Sequence, residues 1–253
     1  MQTILQGAYW SSSVLVAVAT LGVLAGMAVL GVSGAAELSL AMAFYFLFMG
    51  CIRRVPGGAT PMQRALFRMT YWFPLILPVV LIPELRQELV QTLAPTPTTL
   101  ALGTIVGLFM SIIFLYPSRQ LFLDRTICML AVPPMQRSDL LLSAQSMIGA
   151  AVFEEALFRY AVFALIGQSA LALVVSTLLF VVAHYSLPWA TQTFSRRDYL
   201  NQAATGVIIG GLFWATGSLL ACILAHMIFN VLRLGPAVLR SSIYGEKNEL
   251  YES

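Results

Sequence analysis

Apolar runs separated by short polar or proline-containing joints make up most of the chain. A run of roughly 20 apolar residues is what a helix needs to cross the hydrocarbon core of a bilayer, and the pattern yields eight such runs. They cover residues 9–32, 38–52, 69–83, 98–116, 138–167, 169–187, 202–215 and 219–234. Their joints carry familiar breakers: a turn around Glu37, then Arg53-Arg54 with Pro56-Gly57-Gly58, Pro117-Ser118-Arg119, Pro188, and Thr216-Gly217-Ser218. Pro74 and Pro78 fall inside the third run, which predicts a broken span whose neighbours satisfy the freed backbone groups. Residues 84–97 read as a loop or interfacial helix, 121–135 as an interfacial segment, 189–201 as a polar loop, and 236–253 as a polar tail. The fold class predicted is all-α, a polytopic transmembrane bundle.

Composition agrees with that pattern. Hydrophobic residues make up 59% and charged residues 10% of the 253, and mean hydropathy is +0.84, whereas soluble domains carry roughly a quarter charged residues. The first run lacks a preceding Lys or Arg and is long for a signal sequence, so it reads as a retained span. Gly22 and Gly26 form a GxxxG, read as ordinary helix packing; Gly206, Gly210 and Gly211 leave room for close helix contact. Cys51, Cys128 and Cys222 lack any metal-type spacing and read as small core residues without a disulfide. With the N-terminus cytoplasmic, Arg53, Arg54, Arg64, Arg68, Arg119, Arg125, Arg137, Arg196, Arg197, Arg233, Arg240 and Lys247 all fall inside. These are 12 of the 14 Lys plus Arg, leaving Arg159 in the membrane and Arg86 outside, as the positive-inside rule expects. Both termini are therefore predicted cytoplasmic. No basic stretch is interleaved with aromatics, so nucleic acid is not an expected partner.

Against this background Glu154, Glu155 and Arg159 stand out, because charges at membrane depth are costly and usually functional. Glu155 and Arg159 are four apart and can pair on one helical face, whereas Glu154 points about 100° away. The chain has two histidines, and both sit in apolar runs: His184 follows Phe180 by four residues, and His226 precedes Asn230 by four. Three helices can thus aim a carboxylate, two imidazoles and an amide at one cavity. Amide hydrolysis needs a base to deprotonate water and a donor for the oxyanion. Glu154 suits the base, His184 can share the water, and His226 and Asn230 are the candidate donors. Glu155 and Arg159 would fix the helix and balance charge, with Phe180 as packing. No serine or cysteine has a comparable basic neighbour.

The ordered motifs EExxxR, FxxxH and HxxxN resemble those of the CPBP intramembrane proteases, which include the type II CaaX prenyl endopeptidases and the bacteriocin-processing and self-immunity proteins of the ABI type. The resemblance implies an all-helical core in which Glu154 and His184 activate water while His226 and Asn230 support the oxyanion. It implies an endopeptidase in the lipid bilayer that cuts a peptide or protein substrate near the membrane surface, and leaves the metal open. No cofactor is expected on the preferred reading, and a zinc ion, if used, would take Glu154, His184 and His226. The organisation expected is N-terminal transmembrane helices over 1–137, a catalytic four-helix core over 138–235 and the tail over 236–253. The protein is expected in a bacterial or archaeal plasma membrane, with homo-oligomers allowed. Two other readings use the same residues. A proton-coupled transporter would use the buried Glu, His and Arg as a relay, but no inverted repeat supports it; a non-catalytic scaffold would have no chemical need of the intact motifs.

Overall fold

The computed structural model describes residues 2–51, 59–185 and 195–243. The expected breaks at Arg53-Arg54, Pro56-Gly57-Gly58 and Pro188, together with Lys247, lie outside the described residues. Among those described, every regular element is helical and no strand occurs.

Helices α1 (Gln2–Val29) and α2 (Ala35–Cys51) form a hairpin. Its turn uses Gly34 at φ 68°, a conformation that penalises a Cβ, and a Cβ there would also strike Leu165. The hairpin is thereby seated on the later helix that carries Leu165. Glu37, expected in the turn, lies in the first turn of α2 instead.

The third expected span is broken, as its prolines predict. Helix α3 (Pro61–Thr70) and helix α4 (Phe73–Leu81) meet at 43°. It also begins earlier than the apolar run, because Thr60 and Gln63 form a reciprocal capping box just before Pro61. Arg68 then ties α3 to a helix that follows, donating from Nη1 to the Leu142 carbonyl at 2.6 Å and to Ser146 Oγ at 2.9 Å. Helix α5 (Pro83–Thr92) covers most of the polar stretch that follows, and α6 (Pro97–Leu115) is the fourth apolar run. Two short helices, α7 (Gln120–Leu123) and α8 (Arg125–Ala131), occupy the expected interfacial segment.

One rod then carries the glutamates: α9 (Arg137–Glu155), a π turn over Ala156–Ala161, and α10 (Val162–Ile166). It is followed by α11 (Ala170–Tyr185), α12 (Arg196–Thr216), α13 (Leu219–Arg233) and α14 (Gly235–Val238). The expected loop over 189–201 is corrected here, since α12 starts at Arg196. Ser195 and Asp198 cap it reciprocally, the Asp198 carboxylate accepting from the Ser195 N–H at 2.8 Å and Oγ at 2.7 Å. A polar first turn is helical because its orphan donors are satisfied. The expected tail likewise begins as helix. Pro236 is buried with its carbonyl 3.5 Å from Cys128 Sγ, and Ser241 Oγ accepts from the Met135 N–H at 2.6 Å.

Small residues set the closest approach, but not where the N-terminal GxxxG pointed. A Cβ at Gly103 would lie 2.7 Å from the Ala221 carbonyl oxygen, and one at Gly107 would lie 2.8 Å from that of Ala225. Helices α6 and α13 therefore touch backbone to backbone. Around Gly22 and Gly26, by contrast, the space is open among the described residues. Gly206 and Gly210 do receive α11, against Thr177 and Leu173, while Gly211 faces open space. Cys128 and Cys222 are buried and free, whereas Cys51 is exposed rather than in the core.

Large apolar side chains such as Val18, Leu40, Ile105 and Ile112 are exposed, as lipid as a solvent allows. Among the described residues Pro97–Ser118 alone are long and apolar enough to cross a membrane, or up to three spans if the bent pairs α3 with α4 and α13 with the helical residues after it each count as one. Apolar stretches Val14–Val29, Ala35–Cys51 and Ala170–Tyr185 are shorter.

Trp72, at the break between α3 and α4, lies flat on Gly149 and stacks on Phe153 with centroids 5.1 Å apart. A methyl at 149 would occupy the indole ring. Gly149→Ala is therefore expected to cost about 1–3 kcal/mol, the usual range for overpacking, read as a lower unfolding midpoint of the detergent-solubilised protein. An unchanged midpoint would mean that Trp72 does not dock there.

Candidate active site

The polar centre is built by the α9–α10 rod, α11 and α13. Glu155 and Arg159 are both fully buried, and they pair as their spacing predicts, Arg159 Nε lying 3.2 Å from Glu155 Oε2. Alignment is not that of a hydrogen bond, so the contact acts mainly as charge against charge. The arginine is held from two further sides. Nη1 donates to Ser176 Oγ at 3.2 Å, and the guanidinium lies 4.6 Å above the Phe180 ring, an arrangement that favours a desolvated cation. The π turn that follows Glu155 carries Arg159 itself, and such turns often mark functional stretches of a helix.

Glu155 has a second partner that spacing along the chain does not reveal. Its Oε1 accepts from His226 Nδ1 at 2.7 Å. An ionised carboxylate only accepts, so the ring proton sits on Nδ1, and Nε2 faces away from Glu155. On the same helix, Asn230 donates from Nδ2 to the Met147 carbonyl at 3.0 Å. That bond fixes the amide plane and uses one of its two N–H donors.

His184 closes α11 with Nδ1 bonded at 2.8 Å to the Phe180 carbonyl. A carbonyl can only accept, so Nδ1 carries a proton. Phe180 does more than fill space: its ring stands edge-on to His184 at 4.6 Å and to His226 at 6.3 Å while supporting Arg159 from below. The two imidazoles and the guanidinium thus share one aromatic wall.

Glu154 is half-buried and turned from the ion pair, as the 100° step predicts. Its carboxylate lies within electrostatic reach of the Tyr45 hydroxyl. Tyr45, on α2, was not among the expected site residues. It is 4% exposed, packs against Phe158, and points its hydroxyl at the Ala183 carbonyl at 3.5 Å, next to His184. A tyrosine in an apolar run reads as packing, and only the docking of the hairpin puts it here. Ser176 and the Met147 carbonyl were missed for the same reason. Among the described residues no three His, Cys, Asp or Glu side chains gather as metal ligands do.

A buried carboxylate thus joins an arginine to a histidine, with a second carboxylate one residue away. Residues 136–232 match the family model of the type II CAAX prenyl endopeptidase Rce1-like proteins. That segment is similar to the family and holds all three motifs, and the apolar helices are those of an integral membrane protein. Comparisons with curated proteins and with solved structures gave no match.

Proposed function

We propose that the protein is an intramembrane endopeptidase that cuts a peptide bond near the membrane surface with an activated water. Glu154 is the base, assisted by Nε2 of His184, while His226 and Asn230 receive the oxyanion. The observation that carries this reading is the bond between Glu155 and His226. It is buried and short, and it orients Nε2 of His226 away from its own anchor.

For Nε2 to donate to an oxyanion it must carry a proton, which makes the ring an imidazolium. Glu155 lies against that cation and Arg159 on its other side balances the charge. The uncommitted N–H of Asn230 supplies a second donor. A prenylated CaaX protein is the substrate that the family description names, and a peptide substrate of that kind fits a site reached from the inner membrane surface. The eight-span topology with both ends inside belongs to the same proposal, supported by the arginine distribution.

The test is a comparison of membranes from cells carrying wild type or Glu154→Gln, read by proteomics for peptides that accumulate uncut. A metal is not required in this mechanism. Chelator treatment of the purified protein is therefore expected to leave turnover unchanged, and a loss restored by zinc would assign Glu154, His184 and His226 as ligands instead.

Tyr45 enters as a positioning residue at the end of α11 that carries His184, through its hydroxyl at the Ala183 carbonyl. Tyr45→Phe keeps the ring against Phe158 and removes only the hydroxyl. Turnover is expected to fall about tenfold, in line with loss of about 1–1.5 kcal/mol from the hydrogen bond to the Ala183 carbonyl, with the pH–rate profile displaced and the midpoint of unfolding kept. An unmoved pH profile would make Tyr45 a packing residue only.

A further inference from the structure

A second polar site lies away from the catalytic cluster. A cavity of about 420 Å³ opens where α6, α12 and α13 end together. Its lining combines apolar and aromatic side chains, among them Phe114, Leu121, Phe122 and Phe229, with the polar Arg197, Asn201, Gln202 and Arg233. Asp198 also lines it. Its carboxyl is held below the usual range by the hydrogen bonds from Ser195, with Arg233 and Arg197 adding to the effect.

Charge decides what suits this cavity. Two guanidinium groups face one carboxylate that is already engaged in capping α12, so the cavity is net cationic. Neither arginine has an ion pair within 4.0 Å among the described residues, and both are exposed at the cavity. Arg119 and Arg196 directly neighbour the lining residues Ser118 and Arg197 in the chain, which adds positive charge beside the cavity. Guanidinium groups hold phosphate oxygens in pairs, amides such as Asn201 and Gln202 add donors, and the apolar half matches the first methylenes of an acyl chain. Basic pockets between membrane helices at the cytoplasmic side take anionic head groups in this way.

We infer that this cavity binds the head group of an anionic phospholipid, with the phosphate between Arg197 and Arg233 and the acyl chains leaving along Phe114 and Leu121. Since α13 also carries His226 and Asn230, a bound lipid would brace the helix that supplies half of the candidate site. The inference itself rests on the cavity and the membrane setting, not on the protease reading.

The test uses the full-length protein in a neutral detergent, titrated with short-chain phosphatidylglycerol, short-chain phosphatidylcholine or inorganic phosphate, with the unfolding midpoint and lipid retention by native mass spectrometry as readouts. Phosphatidylglycerol is expected to raise the midpoint and remain bound, phosphatidylcholine to do neither. Arg197→Gln with Arg233→Gln should weaken the effect at least tenfold. Arg119→Gln with Arg196→Gln, which removes equal charge outside the cavity, should not. If the glutamine pair does not fold, Arg197→Lys with Arg233→Lys keeps the charge, and an intermediate loss is expected. Equal responses in all variants would overturn the site, and an equal response to inorganic phosphate would overturn its assignment to lipid. Because no turnover is measured, failure here leaves the protease proposal untouched, and an inactive Glu154→Gln protein should still bind the lipid.

Discussion

Glu154→Gln is expected to abolish peptide cleavage while the protein stays folded. The amide keeps the size of the carboxylate but cannot accept the proton that water must lose. General-base catalysis is typically worth about 10²–10⁴ in rate, and turnover should fall by at least that much. Little stability should follow it. Glu154 is half-buried and stands apart from the Glu155–Arg159 pair, so its neutralisation leaves no buried countercharge. Substrate should still bind, and uncut peptide should accumulate in the membrane. Cleavage at the wild-type rate would remove Glu154 from the chemistry and pass the base role to His184.

The distinction between the two adjacent glutamates was legible in the sequence, and its sharper half was not. Helical spacing pairs Glu155 with Arg159 and turns Glu154 away, and the structure has that arrangement. Spacing says nothing about which carboxylate meets a helix 71 residues further on, and Glu155, expected only to balance charge, is the one that grips His226. The same limit applies to packing. Gly22-x-x-x-Gly26 and Gly103-x-x-x-Gly107 are equivalent as patterns, yet among the described residues only the second meets a partner backbone. It does so because Ala221 and Ala225 present matching small residues on α13. Tyr45 could not be selected from many aromatics in apolar runs, since its place depends on the hairpin turn at Gly34. The early start of α12 is different in kind, because Ser195-x-x-Asp198 is itself a capping signature and the polarity of the stretch masked it.

Glu155→Ala is expected to lose both activity and stability, and the two losses can be separated. Removing one partner of a buried ion pair leaves the other charge uncompensated, which typically costs about 3–5 kcal/mol. Arg159 is fully buried, with Nη2 lacking a hydrogen-bond partner among the described residues, so little is available to replace the carboxylate. Denaturation in detergent should therefore show a much lower midpoint. Replacing both residues, as Glu155→Met with Arg159→Met, removes the charges together and keeps the volume, and such exchanges are often neutral or stabilising. The double variant should regain most of the lost stability. It should not regain activity, because His226 still lacks the acceptor that sets its tautomer and stabilises its protonated form. The corresponding loss where a carboxylate orients a catalytic histidine is on the order of 10⁴ in serine proteases, and a fall of about 10²–10⁴ is expected here. Recovery of turnover along with stability would show that Glu155 and Arg159 only hold the bundle together, and that His226 acts without an anchor.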